Sequence, residues 1–158
     1  MTVLKLFGVL FILGAGGFGA SAAIRYERRK IAVLAGWSDL IRYIRSQVDR
    51  YLLPLPQILA RADTALFDAC FCRQPQPDLT AIYHASQLYL DAEARRLLAA
   101  FVREFGYENR EELLHRCDDD IAALGRLRAK RLEEFPAKTR VIFAVCTGTA
   151  LLISILLW

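Results

Sequence analysis

Two uncharged, apolar segments near the ends of the 158-residue chain constrain its fold more than any other feature. Residues Leu6–Ile24 and Val141–Trp158 contain no charged side chain. As α-helices they would reach roughly 28 and 27 Å, close to the ~30 Å hydrocarbon core of a bilayer. We therefore expect an N-terminal transmembrane helix in residues 1–24, a C-terminal one in residues 141–158, and a helical domain of residues 25–140 between them.

The first apolar segment also has features of a secretory signal peptide, because Ala20-Ser21-Ala22 resembles a cleavage site. However, the segment is longer than the usual apolar core of a signal peptide, which is about 7–15 residues. Cleavage would also leave the strongly basic residues 25–30 facing outward. We expect an uncleaved membrane span and keep the signal peptide as the alternative.

Basic residues flank the two predicted spans almost entirely on their inner sides. Residues 25–44 hold five Lys and Arg, residues 121–140 hold six, and the outer flanks hold Lys5 alone. The positive-inside rule then places the central domain in the cytoplasm and both termini outside it. The basic residues nearest the predicted membrane surface, which we call the basic girdle and expect to contact anionic headgroups, are Arg25, Arg28, Arg29, Lys30, Lys138 and Arg140.

Between the spans, apolar residues recur every three or four positions, which is the period of an α-helix. No segment alternates for long enough to predict a strand. The pattern predicts an all-α, membrane-anchored bundle in which two long helices are continuous with the spans and about three shorter helices lie between them. The first long helix is expected to cover Leu6–Leu52, and the shorter ones about Pro56–Phe71, Asp78–Leu90 and Asp91–Phe105. We expect one core, formed by Ile41, Ile44, Val48, Leu98, Phe101, Phe105, Ile121 and Leu124.

Capping residues mark the predicted helix ends. Asp78 and Asp91 are expected to cap the third and fourth helices, and Asn109 is expected to cap the last one. Gly106 is expected to end the fourth helix in a left-handed conformation.

Residues that could carry out catalysis are few, which argues against an enzyme. Asp118–Asp120 are consecutive, and on a helix their side chains point about 100° apart and cannot converge on one ion. The only glycine cluster lies inside the first span, so it does not form a phosphate loop. The 20 basic and 17 acidic residues of 25–140 do not form a basic stripe interleaved with aromatic residues, as a nucleic-acid site would require. We expect no catalytic, cofactor-binding or metal-binding residues.

The chain has four cysteines, Cys70, Cys72, Cys117 and Cys146. We expect them to remain reduced in the cytoplasm and to pack as small apolar side chains. Cys70-x-Cys72 together with His84 could bind a metal, although their spacing is not that of a common zinc site. The alternative function is therefore a membrane-bound metal or redox sensor that uses Cys70, Cys72 and His84.

Two surfaces are candidate sites of interaction with other helices or proteins. In the first span, small residues four positions apart are typical of closely packed membrane helices, and these residues are Ala15, Gly19 and Ala23. In the central domain, three arginines lie off the apolar stripes or on the last helix, far from the predicted lipid. We predict that this candidate partner face attracts an acidic partner, with a merely solvated surface as the alternative, and its residues are Arg42, Arg45 and Arg126.

Several short stretches occur in an order that resembles a known family. They are "LKLFGVLFIL" at Leu4–Leu13, "YERRK" at Tyr26–Lys30, "PLPQIL" at Pro54–Leu59, "FVREFGYENREELLHRCDDDIAAL" at Phe101–Leu124, and Lys138 and Arg140 before an apolar tail. In this order and spacing the chain resembles the stage III sporulation protein AB family of endospore-forming bacteria. That family itself resembles the cytoplasmic helical domain of the type II secretion inner-membrane platform protein.

The sequence departs from the family at two places. Gln47-Val48, followed by Arg50, replaces the usual Glu-Ile two residues before a tyrosine, and Arg28-Arg29 replaces the usual Arg-Pro. A contact that depends on the family's glutamate is therefore not expected at Gln47.

The resemblance implies a non-enzymatic platform of a secretion-like complex in the mother-cell (outer forespore) membrane during engulfment. Such a platform lies between a cytoplasmic ATPase and a ring that spans the intermembrane space, and supports a channel to the forespore. The implied partners are the ATPase and other membrane components of the complex, and a second copy of the chain is a further candidate.

Overall fold

The computed structural model describes residues 2–51, 53–72, 76, 78–106 and 109–156, and within the first helix the side chains of residues 8, 10–12 and 14 onward. The described residues form six α-helices and one 3₁₀ turn and contain no strand. In chain order these are α1 (Thr2–Tyr51), α2 (Leu55–Ala60), α3 (Thr64–Ala69), α4 (Leu79–Ser86), the 3₁₀ turn (Gln87–Tyr89), α5 (Ala92–Glu104) and α6 (Arg110–Leu156). The all-α prediction therefore holds for the described residues.

The chain folds as two compact units. The paired-helix unit contains α1 as far as Arg28 and α6 from Leu132 onward, and the bundle unit contains Arg29–Arg131. The division between units thus falls four residues beyond Ile24 in α1 and nine residues before Val141 in α6. The predicted borders between lipid and water, after residue 24 and before residue 141, stay predictions.

The bundle unit has one hydrophobic core, to which all four of its shorter helices and both long helices contribute. The eight residues predicted to meet in this core all belong to it, six of them buried and Phe105 and Ile121 half-buried against it. The largest buried side chains include Trp37 and Phe101, and the Phe101 and Phe105 rings meet edge-on with centroids 5.4 Å apart. The predicted core is confirmed.

Trp37 brings a polar group into this core, and the group has a partner. Its indole Nε1 donates a hydrogen bond of 2.9 Å to Ser86 Oγ, and Ser86 Oγ donates one of 3.0 Å to the Tyr83 carbonyl. A buried N–H without a hydrogen-bond partner would lower the stability of the fold, so Trp37 must keep Ser86 in place. These two hydrogen bonds therefore fix the end of α4 against α1.

The predicted capping residues occupy the helix ends. Asp78 accepts a hydrogen bond from Thr80 N at 3.2 Å, Asp91 accepts one from Ala94 N at 2.9 Å, and Asn109 accepts one from Glu112 N at 3.0 Å. Gly106 has a φ of +93° after α5, a conformation that favours glycine. These four predictions are confirmed.

The single helix predicted for about Pro56–Phe71 is wrong, because the structure has two short helices there. Helix α2 ends at Ala60, and Asp63 then caps α3 by accepting a hydrogen bond of 3.0 Å from Ala65 N. Helix α3 ends in turn at Ala69, and Phe71 has a φ of +58°, the only positive value at a non-glycine residue among those described. The bundle therefore has four short α-helices rather than about three.

In the paired-helix unit the outer side chains are apolar and exposed. Among the described helices, one, Arg110–Leu156, is long and apolar enough to cross a membrane, and 11% of its apolar stretch is buried. Ile155 of α6 is 72% exposed, and Phe18 of α1 is 71% exposed. Contiguous apolar surface of this kind is typical of contact with lipid or another apolar partner.

Candidate functional site

A cleft in the bundle unit lies between α5 and α6 and has a volume of about 1070 Å³. On both helices the lining residues recur every three or four positions, some of them as adjacent pairs, so each helix presents one face. The lining residues, which define the α5–α6 cleft, are Ala92, Glu93, Arg96, Leu97, Ala100, Asp120, Ala123, Arg126, Leu127 and Lys130.

The α5–α6 cleft has an apolar floor and a charged rim. Leu97, Ala100 and Ala123 are half-buried, and Leu127 is buried. The exposed side chains of the rim are Glu93, Arg96, Arg126 and Lys130. A groove with this division of apolar floor and charged edge is typical of sites that receive an amphipathic segment.

Ion pairs flank the cleft near both ends of its lining. At one end Arg131 of α6 pairs with Asp91, just before α5. At the other end Arg116 of α6 donates to a Glu104 carboxylate oxygen at 2.7 Å and lies 3.8 Å from a carboxylate oxygen of Asp120. These pairs hold α5 against α6 and compensate the charge of Asp120.

The pKa of Glu104 is lowered mainly by a hydrogen bond from Arg103 and also by one from Arg116, so this carboxylate remains ionised at neutral pH. By contrast, the three basic residues of the rim, Arg96, Arg126 and Lys130, form no ion pair within the described part of the chain. The exposed rim therefore carries three positive charges and one negative charge, that of Glu93.

The structure separates the three arginines of the candidate partner face. Arg42 donates to Asp39 of its own helix at 2.7 Å. Arg45 contacts both carboxylate oxygens of Asp118 in α6. Its Nε lies 2.6 Å from Oδ1, and its Nη2 donates a hydrogen bond of 2.8 Å to Oδ2. Of the three, only Arg126 lines the α5–α6 cleft. That all three contact one partner stays a prediction.

The Arg45–Asp118 pair ties α1 to α6 within the bundle. The hydrogen bond between them raises the pKa of Arg45 and lowers the pKa of Asp118, so both groups are charged at neutral pH. A planar guanidinium that contacts both carboxylate oxygens fixes the relative position of its two helices better than a single contact does. Arg45 therefore has a structural role in this fold.

The basic girdle contains several residues that already contact aromatic or acidic side chains. The Arg25 and Arg28 guanidinium groups lie 5.8 Å from the ring centroids of Phe18 and Phe135, respectively. In the bundle unit, Arg29 Nη1 donates to the Tyr89 hydroxyl at 3.3 Å. In the paired-helix unit, Lys138 Nζ donates to Glu134 at 2.9 Å. Four residues of the basic girdle are exposed, and two, Lys30 and Lys138, are half-buried. The contact of the girdle with lipid headgroups stays a prediction.

Within the paired-helix unit the two helices approach each other closely at small residues. A Cβ atom at Gly16 would lie 3.0 Å from Ala150 Cβ and 3.2 Å from the Cys146 carbonyl oxygen. Ala20, four residues on, is 1% exposed. The helix contact thus runs through Gly16 and Ala20, which are not part of the small-residue ladder predicted from the sequence.

The predicted small-residue ladder lies one position away from this contact. Gly19 is exposed and a Cβ atom there would have no neighbour within 4 Å. Ala15 is also exposed, Ala23 is half-buried, and both Ala15 and Gly19 line a groove of about 450 Å³ beside the contact. Packing of Ala15, Gly19 and Ala23 against a further membrane helix stays a prediction.

The residues of the alternative sensor function are divided between core and surface. Cys70 is fully buried and Cys72 is 4% exposed, whereas His84 is exposed and its ring centroid lies 5.6 Å from that of Tyr83. Burial raises the pKa of the Cys70 thiol to about 12, and the neighbouring Cys72 adds to the rise. A protonated, buried thiol is a poor nucleophile and metal ligand. Among the described residues, no group of three His, Cys, Asp or Glu side chains is placed to hold a metal.

No family model, curated protein or solved structure matches the chain.

Proposed function

We propose that this protein is a membrane-anchored adaptor whose α5–α6 cleft docks a partner protein beneath the membrane. Two spans, within residues 1–24 and 141–158, hold the helical domain on the cytoplasmic side. The domain links a cytoplasmic ATPase to membrane components of a secretion-like channel complex in the mother-cell membrane during sporulation. The adaptor has no catalytic role.

The support for membrane anchoring comes from α1 and α6. Each long helix contains an uncharged segment, residues 6–24 in α1 and residues 141–156 in α6, and large apolar side chains there, such as Phe18 and Ile155, are exposed. Nearly all the flanking basic residues lie on the inner sides of these segments. A soluble protein would leave this apolar surface in water, whereas a bilayer buries it.

The single observation that carries the adaptor function is the α5–α6 cleft with its unpaired basic rim. Elsewhere in the bundle, Arg42, Arg45 and Arg116 are engaged by carboxylates of the same chain. Arg96, Arg126 and Lys130 have no such partner among the described residues, and they border an open apolar floor. Long basic side chains that the fold itself does not use, at the edge of a cleft, favour a binding role. The resemblance to the sporulation family supports the choice of an ATPase as partner.

The test is co-purification of the ATPase with the tagged protein from sporulating cells. We expect capture by the unmodified chain and strongly reduced capture by a double variant, Arg126→Glu with Lys130→Glu. The matched control, Arg95→Glu with Arg128→Glu, makes the same charge change on exposed residues of α5 and α6 that do not line the cleft. Absence of any ATPase from the purified complex would refute the proposal.

The topology is tested separately by cysteine labelling in intact cells. A cysteine introduced at Gln76 is expected to be protected from an impermeant thiol reagent, because residues 25–140 are proposed to be cytoplasmic. Labelling becomes complete once the membrane is permeabilised. Labelling at Gln76 in intact cells would place the bundle on the opposite side.

A further inference from the structure

The dimensions of the α5–α6 cleft suit a short helix. Its lining runs from Ala92 to Ala100 on α5 and from Asp120 to Lys130 on α6. At 1.5 Å per residue these stretches are about 12 and 15 Å long, which corresponds to roughly two to three turns of an α-helix. The floor includes Ala100 and Ala123, whose small side chains allow another helix to approach, and Leu97 and Leu127 supply apolar contact.

The rim specifies the charge of such a helix. Arg126 and Lys130 are four residues apart on α6, so they lie one turn apart along the same edge. Arg96 lies on the opposite edge, on α5. Acidic residues four positions apart in a bound helix would face Arg126 and Lys130, and a further acidic residue on its other side would face Arg96.

A second copy of this chain is a poor occupant. Its own acidic helical segment, Glu111 to Asp120 at the start of α6, would have to offer apolar residues to the floor as well as acidic residues to the rim. However, Leu113 and Cys117 of that segment are 8% and 0% exposed, because they belong to the chain's own core. The segment therefore cannot enter the cleft without unfolding the bundle that contains it.

We infer that the α5–α6 cleft binds an acidic amphipathic helix of about three turns, presented by the partner protein. This inference rests on the proposed function and specifies the part of the partner that docks. The apolar face of the helix packs on Leu97, Ala123 and Leu127, and its carboxylates face the three basic residues of the rim. The contact is the helix-in-groove mode of recognition, with charge at the rim setting the association rate and the salt dependence.

The probe for this inference is a synthetic helical peptide of about three turns with leucine on one face and glutamate flanking it. Its twin has lysine in place of each glutamate. Binding of each labelled peptide to the full chain in lipid nanodiscs is measured by fluorescence anisotropy at two salt concentrations. We expect the glutamate peptide to bind more tightly than its twin, and to bind less tightly at the higher salt concentration.

Variants locate the binding site on the protein. Arg126→Glu with Lys130→Glu should weaken binding of the glutamate peptide roughly tenfold, mainly through the association rate. The same double variant should gain affinity for the lysine twin, which shows that it still folds. Arg95→Glu with Arg128→Glu is expected to change the affinity less than about twofold, because exposed charges outside the cleft interact weakly with the bound peptide. Ala123→Trp, which fills the floor, should weaken both peptides.

Three results would overturn the inference: equal binding of the two peptides to the unmodified chain, equal loss in the cleft and control double variants, or no effect of Ala123→Trp. The proposed function fails in a different way. If the glutamate peptide binds in the cleft but no ATPase co-purifies from cells, the cleft specificity stands and the proposed partner is wrong. If the ATPase co-purifies but the peptide does not bind, the adaptor function stands and this inference is refuted.

Discussion

Replacement of Gly36 by alanine tests a close contact between α1 and α3. Gly36 lies in α1, where alanine is normally the better residue for helix stability by about 1 kcal/mol. Here, however, a Cβ atom would lie 2.4 Å from the carbonyl oxygen and 2.5 Å from the carbonyl carbon of Ala69, at the end of α3. The obstacle is backbone rather than the end of a flexible side chain, so α1 and α3 must separate to admit the methyl group.

The expected effect of Gly36→Ala is the difference between two terms. Inserting a methyl group into a well-packed contact usually costs about 1–3 kcal/mol, and the severity of this clash favours the upper end. The gain in helix propensity offsets about 1 kcal/mol. We therefore expect a net loss of about 1–2 kcal/mol in the free energy of unfolding. For a domain of about 100 residues this lowers the melting temperature by roughly 4–16 °C.

Gly125→Ala is the matched control, because Gly125 lies in α6 and a Cβ atom there would have no neighbour within 4 Å. It should raise stability by up to about 1 kcal/mol through helix propensity alone. Thermal unfolding of the full chain in detergent micelles, followed by circular dichroism and by tryptophan fluorescence, to which the buried Trp37 contributes, measures both variants. If Gly36→Ala is as stable as Gly125→Ala, the close approach of α1 and α3 is wrong.

Three further predictions concern the core and the pH dependence of the bundle. Phe101→Ala should lower the free energy of unfolding by about 3–5 kcal/mol, as measured by denaturant titration, and a loss below about 1 kcal/mol would contradict full burial of the ring. Because burial raises the pKa of Cys70 to about 12, its thiol should resist alkylation by iodoacetamide at mildly alkaline pH in the folded protein and react after unfolding. Peptide mapping measures the alkylation, and equal rates in the folded and unfolded states would be inconsistent with burial. Arg45 lowers the pKa of Asp118, so the stability from this pair is present above the unfolded pKa of about 3.9 and is lost as pH falls through the lower folded pKa. Asp118→Asn should therefore lose less stability than the unmodified chain when the pH is lowered, as measured by denaturant titration. An unchanged dependence of stability on pH would count against the pair.

The helices and the core could be predicted from the sequence because their signals are local. Apolar residues at a period of three to four define the buried face of a helix wherever the helix lies. The side chains of Asp78, Asp91 and Asn109 each bond a backbone N–H two or three residues ahead, so no distant contact decides these helix starts. Phe101 and Ile41 could be assigned to one core because the bundle has no other apolar surface of similar extent to bury.

The break between α2 and α3 escaped prediction because the apolar spacing continues through it. Ile58 and Leu59 of α2 and Phe67 of α3 are all buried, so the period of the sequence suggests one helix. What interrupts it is Asp63, whose carboxylate bonds Ala65 N and starts a new helix. An aspartate followed by threonine within an apolar run was the available signal for this break.

The register of the small residues in α1 could not be predicted for a similar reason. Residues Gly14–Ala23 are almost all small, so ladders four positions apart run along neighbouring faces of the helix. Ala15 and Gly19 form one such ladder, and Gly16 and Ala20 form the next. Only the position of α6, with Ala150 against Gly16, selects the second ladder for the contact within this chain.

The candidate partner face shows what a sequence cannot supply, namely which charges the fold itself uses. Arg45 and Arg126 have the same side chain, and both are predicted to lie off the core. The fold places Asp118 of α6 against Arg45, which then serves to join two helices, whereas Arg126 borders an apolar floor and pairs with no carboxylate among the described residues. Reversing the charge of Arg45 would set a glutamate against Asp118 and would disturb the fold, so a loss of partner capture in that variant would not identify a docking surface. The same change at Arg126 leaves every described ion pair intact, and for that reason the cleft, rather than the original group of arginines, is where a partner can be tested.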